Sequence, residues 1–187
     1  MEAMPSDEEL MLRFSAGDAA AFDALYARHR GGVFRYLLRH CRNAAAAEEL
    51  FQEIWLNLVQ ARARYRVEAK FTTYLYTLAH NRLIDHFRRG KGLELVSLDR
   101  EEDDPVELAA SAAAQPERAA QAREQARRLL ELVEALPLAQ REAFLLHEEG
   151  GLGLEQIAAV TGADREAVKS RLRYALAKLR EGMKDYL

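Results

Sequence analysis

Hydrophobic positions along this chain recur at intervals of three and four residues, and no run keeps the strict period of two that a half-buried strand requires. The pattern predicts helix nearly throughout. Ser6 and Glu9 have capping-box spacing, and Gly17 suits a helix stop. Asp18 suits the N-cap of a helix carrying Phe22, Leu25, Tyr26 and His29 on one stripe, which Gly31-Gly32 is expected to bend or break before residues 33–41. Asn43 caps a helix to about residue 61 with Leu50, Ile54 and Leu58 inward and Phe51 and Trp55 on its flank. A charged loop, RARYRVEAK, precedes a helix over 71–89 that turns Leu75, Leu78, Ala79 and Leu83 inward.

Beyond residue 90 the periodicity lapses. Residues 91–115 collect Asp99, Glu101, Glu102, Asp103, Asp104 and Glu107 and read as a linker. Pro116 suits the first turn of a helix to about residue 135, Pro137 opens another, and Gly150-Gly151 ends it. Helices over 154–160 and 165–182 follow, separated by Thr161-Gly162-Ala163-Asp164. The expected architecture is all-α, with two small helical domains, 1–90 and 116–187, joined by a flexible acidic linker over 91–115.

Composition narrows the classes. A chain of 187 residues, 49% of them hydrophobic, has enough apolar material for two small cores, which argues against wholesale disorder. No apolar run approaches the length of a bilayer span, and the acidic N-terminus lacks a signal-peptide pattern, so a cytoplasmic location without membrane insertion is expected. Cys41 is the single cysteine, so no intramolecular disulfide can form. With His40 it makes an incomplete metal or redox site, and a buried thiol is the plainer reading. No metal or cofactor is expected. The net charge of -3 conceals segregation: acid gathers in the linker, base around Arg82 to Lys91 and again from Arg165 to Arg180. Local potential, not the sum, is what a nucleic acid meets.

The sharpest signal lies in the last two helices. LEQIAAV is short and apolar on one side, Gly162 suits a left-handed turn, and Asp164 suits an N-cap. The next helix carries Val168, Leu172, Ala175, Leu176 and Leu179 on one stripe. Glu166, Lys169, Ser170 and Arg173 lie opposite, flanked by Arg165 and Arg171. That is what a helix-turn-helix needs, an anchored face and an opposite one offering donors to base edges and phosphates. A solvated amphipathic helix has the same stripe, but lacks the short partner helix and glycine turn.

Several ordered motifs carry a family resemblance. Ala135-Leu136-Pro137, Gln140-Arg141-Glu142-Ala143-Phe144, Glu155-Gln156-Ile157-Ala158, Thr161-Gly162, Val168-Lys169-Ser170-Arg171-Leu172 and the run ALAKLR resemble region 4 of the extracytoplasmic-function (ECF) sigma factors. Gly17-Asp18, Ala21-Phe22, Leu25-Tyr26, Glu48-Glu49-Leu50-Phe51-Gln52-Glu53, Ala79-His80-Asn81 and Asp85-His86-Phe87-Arg88-Arg89 resemble region 2. Departures are Glu49 where aspartate is usual, Tyr74 where tryptophan is usual, and Glu166-Ala167 where a small residue or threonine is common.

The resemblance implies roles. Glu48, Glu49, Leu50, Gln52, Glu53 and Trp55 would bind the clamp helices of the largest subunit of core RNA polymerase, carboxylates pairing with arginines. Leu50, Ile54 and Trp55 would divide between that interface and the core. The minus-10 element, held as an opened single strand, would meet Tyr65, Arg66, Lys70, Tyr74, Asn81, Arg82, Arg88 and Arg89, which supply rings to stack on and cations for phosphates. Tyr65, in the loop, is the candidate for an extruded base. Phe71 and Phe87 are expected to be packed, and Asp85 to pair with Arg88 or Arg89. Arg165, Glu166, Lys169, Ser170, Arg171 and Arg173 would read the minus-35 duplex. Other implied partners are the polymerase flap region and an anti-sigma factor. The acidic linker is read either as a phosphate mimic within polymerase channels or as a solubilising tether.

Two other readings remain at this point. A helix-turn-helix regulator independent of polymerase would hold its operator alone. A magnesium-dependent helical nucleotide pyrophosphatase would use Glu48, Glu49, Glu53 and Asp85, but leaves the helix-turn-helix and the basic runs unexplained.

Overall fold

The structure, a computed structural model, describes residues 4–90 and 116–186. The acidic linker expected over 91–115 lies outside the described residues. Among those described there are eight α-helices and no strand: α1 Asp7–Ser15, α2 Ala19–Cys41, α3 Ala44–Ala61, α4 Phe71–Gly90, α5 Pro116–Ala135, α6 Leu138–Glu148, α7 Leu154–Thr161 and α8 Arg165–Gly182.

Local chemistry accounts for most boundaries. Ser6 Oγ accepts from the Glu9 amide at 3.2 Å and Glu9 Oε2 from the Ser6 amide at 2.7 Å, the reciprocal cap read from the sequence. Asp18, Asn43 and Asp164 accept from first-turn amides of α2, α3 and α8. Gly162 closes α7 at φ 68°, in the left-handed region.

The Gly31-Gly32 break does not occur: α2 is continuous through both residues. The buried side chains Leu25, Val33, Tyr36 and Leu37 hold it on both sides of the pair. Gly32 instead permits a close approach, because a Cβ there would lie 2.5 Å from the Glu149 carbonyl oxygen and 2.8 Å from the Tyr76 hydroxyl.

Helices α1–α4 enclose Met11, Leu25, Leu37, Ile54, Leu58, Phe71, Leu75 and Leu83, all essentially inaccessible. Helices α5–α8 enclose Leu146, Leu152, Ile157, Val168 and Ala175. The two lobes touch, α2 and α4 meeting α6 and α7. Polar contacts line that junction. Tyr76 donates its hydroxyl proton to the Glu149 carbonyl at 2.8 Å, Arg35 pairs with the Glu149 carboxylate at 2.8 Å, and Gln156 donates to Thr73 Oγ1 at 2.9 Å. His80 Nδ1 lies 2.6 Å from Glu142 Oε1, which also accepts from the Tyr36 hydroxyl at 3.4 Å. Burial alone would raise the Glu142 carboxyl, but His80, His40 and Tyr36 together outweigh it and hold the group below its ordinary range.

His40 is buried, with Nδ1 2.8 Å from the Tyr36 carbonyl, and burial depresses its pKa. Burial likewise pushes the Cys41 thiol up to about 11, leaving it a poor nucleophile.

Candidate partner and nucleic-acid surfaces

The α3 helix carries an acidic stripe on its outer side. Glu48, Glu49 and Gln52 are exposed and Glu53 half-exposed, with Gln52 donating to Glu48 at 3.1 Å. Leu50 and Trp55 are not part of that stripe. Both are buried, and the Trp55 ring sits 4.9 Å from Tyr26 and 5.9 Å from Phe22, so they back the surface from inside. The apolar residue that does share the stripe is Leu56, 55% exposed and one turn beyond Gln52 and Glu53. Sequence reasoning passed over it; an apolar residue on an otherwise polar helical face was the available signal.

The loop before α4 differs from expectation at its centre. Tyr65 is only 5% exposed, its ring 5.3 Å from Tyr74 and 6.5 Å from Phe71, and its hydroxyl has no partner. A ring standing free in the loop for a base to stack on is therefore not what the structure holds at this position: Phe71 and Tyr74 draw it inward. Burial raises the Tyr65 and Tyr74 hydroxyls above their ordinary range. Around this plug Arg66, Val67 and Lys70 are exposed, and Tyr74 is half-exposed. On α4 Asn81, Arg88 and Arg89 are exposed, while Arg82 is half-buried with its guanidinium 3.8 Å from Glu53. Phe71 is packed as expected and Phe87 half-buried. The ion pair expected for Asp85 with Arg88 or Arg89 is absent among the described residues; Arg82 makes the ion pair in this stretch.

The helix α4 thus has three sides. Leu75, Ala79 and Leu83 face its own bundle; Thr73, Tyr76 and His80 meet the other lobe; Tyr74, Asn81 and Arg89 belong to the third, which solvent reaches.

In the helix-turn-helix, Arg165 pairs with Glu155 at 2.6 Å and Glu166 at 3.1 Å, and Glu166 lies 3.4 Å from Lys169. The Arg165 guanidinium holds the Glu155 carboxyl below its ordinary range. Ser170 and Arg171 are half-buried, and Arg173 is exposed over the Tyr174 ring at 5.0 Å. Tyr174, itself exposed, was not singled out in the sequence; an aromatic beside a cation on the polar face was the clue. The expected apolar stripe is only partly interior. Val168, Ala175 and Leu179 are buried, but Leu172 and Leu176 line a shallow groove of about 310 Å³ with Leu154, Lys169, Arg173 and Arg180.

Among the described residues no three His, Cys, Asp or Glu side chains converge as metal ligands would, so Glu48, Glu49, Glu53 and Asp85 do not form the carboxylate cage of the pyrophosphatase reading. No described helix is long and apolar enough to cross a membrane.

Fold and surfaces together define a two-lobed, all-helical protein that ends in a helix-turn-helix. Residues 25–92 match the family described as Sigma-70 region 2, and residues 126–179 match Sigma-70, region 4. The chain is 33% identical over 171 residues to RNA polymerase sigma factor CarQ of Myxococcus xanthus, covering 91% of this chain and 94% of that protein. It is 30% identical over 186 residues to ECF RNA polymerase sigma factor SigK of Mycobacterium tuberculosis, covering 95% and 94%. A solved structure of CnrH in complex with the cytosolic domain of CnrY shares the fold, with a TM-score of 0.68 at 20% identity over 97% of this chain and 99% of that one. The sigma factor RpoE from Bartonella quintana, solved with the anti-sigma factor NepR, also scores 0.68 at 18% identity, over 87% and 96%. The chain belongs to the ECF family of RNA polymerase sigma factors: it binds core polymerase and directs promoter-specific initiation of transcription.

Proposed function

We propose a division of labour within that function. Residues 1–90 form region 2, which docks on core polymerase and holds the opened minus-10 element. Residues 116–187 form region 4, which reads the minus-35 duplex, and residues 91–115 join them. The α3 stripe of Glu48, Glu49, Gln52 and Glu53, with Leu56 added, is the core-binding surface. Its carboxylates suit arginines on the clamp helices of the largest subunit, and Leu56 offers an apolar contact within the charged patch. Arg66, Lys70, Tyr74, Asn81, Arg88 and Arg89 form the single-strand surface, with Tyr65 as its internal support. Lys169 and Arg173 lead the duplex-reading face, with Arg165, Glu166, Ser170 and Arg171 around them.

The observation that carries this reading is that exposed cations, an exposed amide and a half-exposed ring lie along the same loop and helix, the combination a displaced strand needs. The protein works without catalytic chemistry of its own, in the cytoplasm where polymerase is. Partners beyond polymerase and promoter are the flap region and an anti-sigma factor, the kind of partner with which RpoE was solved.

Run-off transcription with purified core tests the assignment. Charge reversal at Glu49 and Glu53 should abolish holoenzyme formation while leaving the helical fold. Alanine at Lys169 and Arg173 should cost minus-35 dependence, and alanine at Asn81 should cost minus-10 dependence. Unchanged core affinity, or a minus-35 preference that survives, would show the corresponding surface to be misplaced.

A further inference from the structure

The first turn of α4 has no cap of its own. The residue before Phe71 is Lys70, whose side chain has no acceptor, yet the first amides of any helix lack intrahelical partners. The acceptor comes from far back in the chain: Glu8 Oε1, on α1, takes the Phe71 amide proton at 2.7 Å. A carboxylate there also faces the positive end of the α4 dipole. The other end of the loop is tied to the same helix. Ser15 Oγ donates to the Arg62 carbonyl at 2.7 Å, and the Arg62 guanidinium lies 5.8 Å over the Phe14 ring.

Glu8 and Ser15 are seven residues apart, two turns on one side of a helix, or about 10 Å of axial rise. The helix α1 therefore fixes the span between the two ends of the loop. It is itself held. Asp7 takes Arg28 at 2.8 Å and His29 at 2.7 Å, Arg28 also donates to the Pro5 carbonyl at 2.9 Å, and the His29 ring sits 5.4 Å from Phe71. With both ends tied and Tyr65 inserted inward, the exposed Arg66, Val67 and Lys70 project from a backbone of set shape.

We infer that α1, through Glu8 and Ser15, is the positioning element that shapes the minus-10 loop and so sets base preference there, acting through the loop backbone that both residues hold. The inference rests on the minus-10 role proposed above for this loop. Removing Glu8 leaves the buried Phe71 amide unpaired and frees the loop to adopt other shapes. A stacking or hydrogen-bonding pocket must be preorganised to discriminate, so the loss should fall on selectivity.

The test uses full-length protein in holoenzyme with core polymerase and fork templates whose minus-10 element is already single-stranded. The ratio of affinities for the preferred minus-10 sequence and single-base substitutions is read beside the same ratio for the minus-35 element. For Glu8→Ala combined with Ser15→Ala, the minus-10 ratio should shrink about fivefold or more, the smallest loss expected when one base loses its stacking surface. The minus-35 ratio should hold. Glu8→Gln, whose amide oxygen still accepts, should restore the minus-10 ratio, and Glu8→Asp, one methylene shorter, should lie between. A merely structural loss would lower binding to all templates alike and leave both ratios intact, which overturns the inference. So does a minus-10 ratio in Glu8→Asp and the double variant equal to wild type. A wild-type holoenzyme with no minus-10 preference on forks would instead sink the underlying assignment of the loop.

Discussion

The two basic surfaces of this sigma factor keep their charges in different states. On α8, Arg165, Glu166 and Lys169 are already linked to one another and to Glu155, while Arg171 and Arg173 have no carboxylate partner among the described residues. Along α4 and the loop before it, Arg66, Lys70, Arg88 and Arg89 are exposed without a carboxylate partner among the described residues, while Arg82 has one, Glu53. A cation already paired must exchange a carboxylate for a phosphate, so its net gain is small and its value lies in register. An unpaired cation gains the whole phosphate contact and releases counterions. The difference suits the two tasks proposed for these surfaces: reading a formed duplex in register, and holding a strand displaced from its complement.

The support beneath the two surfaces differs as well, and the largest expected effect tests this. Tyr65→Ala empties a core site and should cost about 3–5 kcal/mol of stability, read from the urea midpoint. Tyr65→Phe should be close to neutral or slightly stabilising, because the hydroxyl it removes is buried without a partner. If Tyr65→Phe instead abolished promoter opening in a folded protein, the residue would belong to the DNA surface and not beneath it.

Next in size is the junction between the lobes. Glu142→Ala leaves His80 Nδ1 and the Tyr36 hydroxyl without their acceptor and should cost about 1–3 kcal/mol. Hydrogen exchange should then quicken in α4 and α6 together. Acid should act on the same region in a defined order. The depressed pKa of His40 contributes stability that is full above the ordinary histidine value and is lost as pH falls from it toward the folded value. The carboxyl of Glu142, also held low, gives up its share further down, as pH falls from the ordinary carboxylate range through its folded pKa. Stability measured across pH 7 to 3 should therefore fall in two stages. Exchange of His40 for a neutral isostere should remove the upper stage and, because His40 also helps hold the Glu142 carboxyl low, shrink the lower one.

The smallest effect sharpens the charge comparison itself. In holoenzyme titrations against promoter DNA, Arg88→Ala and Arg89→Ala should each lower the slope of log affinity on log salt by about 1. Arg165→Ala should lower it by less, since the lost cation was already paired. Equal slopes would show that the Glu155 pair opens freely on binding.

How much of this was legible in the sequence follows the range of the interactions. Caps formed within three residues, at Ser6, Asp18, Asn43 and Asp164, and the left-handed Gly162, were readable because donor and acceptor are neighbours in the chain. Gly31-Gly32 reads locally as a bend or break, and the continuous helix was not legible because the place of Gly32 depends on Glu149, in the other lobe. The burial of Tyr65 was not legible because a polar loop suggests exposure, whereas the rings that draw it inward belong to the next helix. No local pattern announces that Glu8 caps α4 or that His80 meets Glu142. The family motifs carried the acidic stripe and the basic runs. They did not separate Leu50 and Trp55, which are core, from Leu56, which is surface.

Permanganate reactivity of promoter thymines in the complete polymerase complex tests the division of labour most directly. The account predicts reactive thymines within the minus-10 element for wild-type holoenzyme. It predicts weaker reactivity for Asn81→Ala at saturating promoter, and for Lys169→Ala with Arg173→Ala a normal pattern reached only at higher protein concentration. A wild-type holoenzyme that occupies its promoter while those thymines stay unreactive would contradict it.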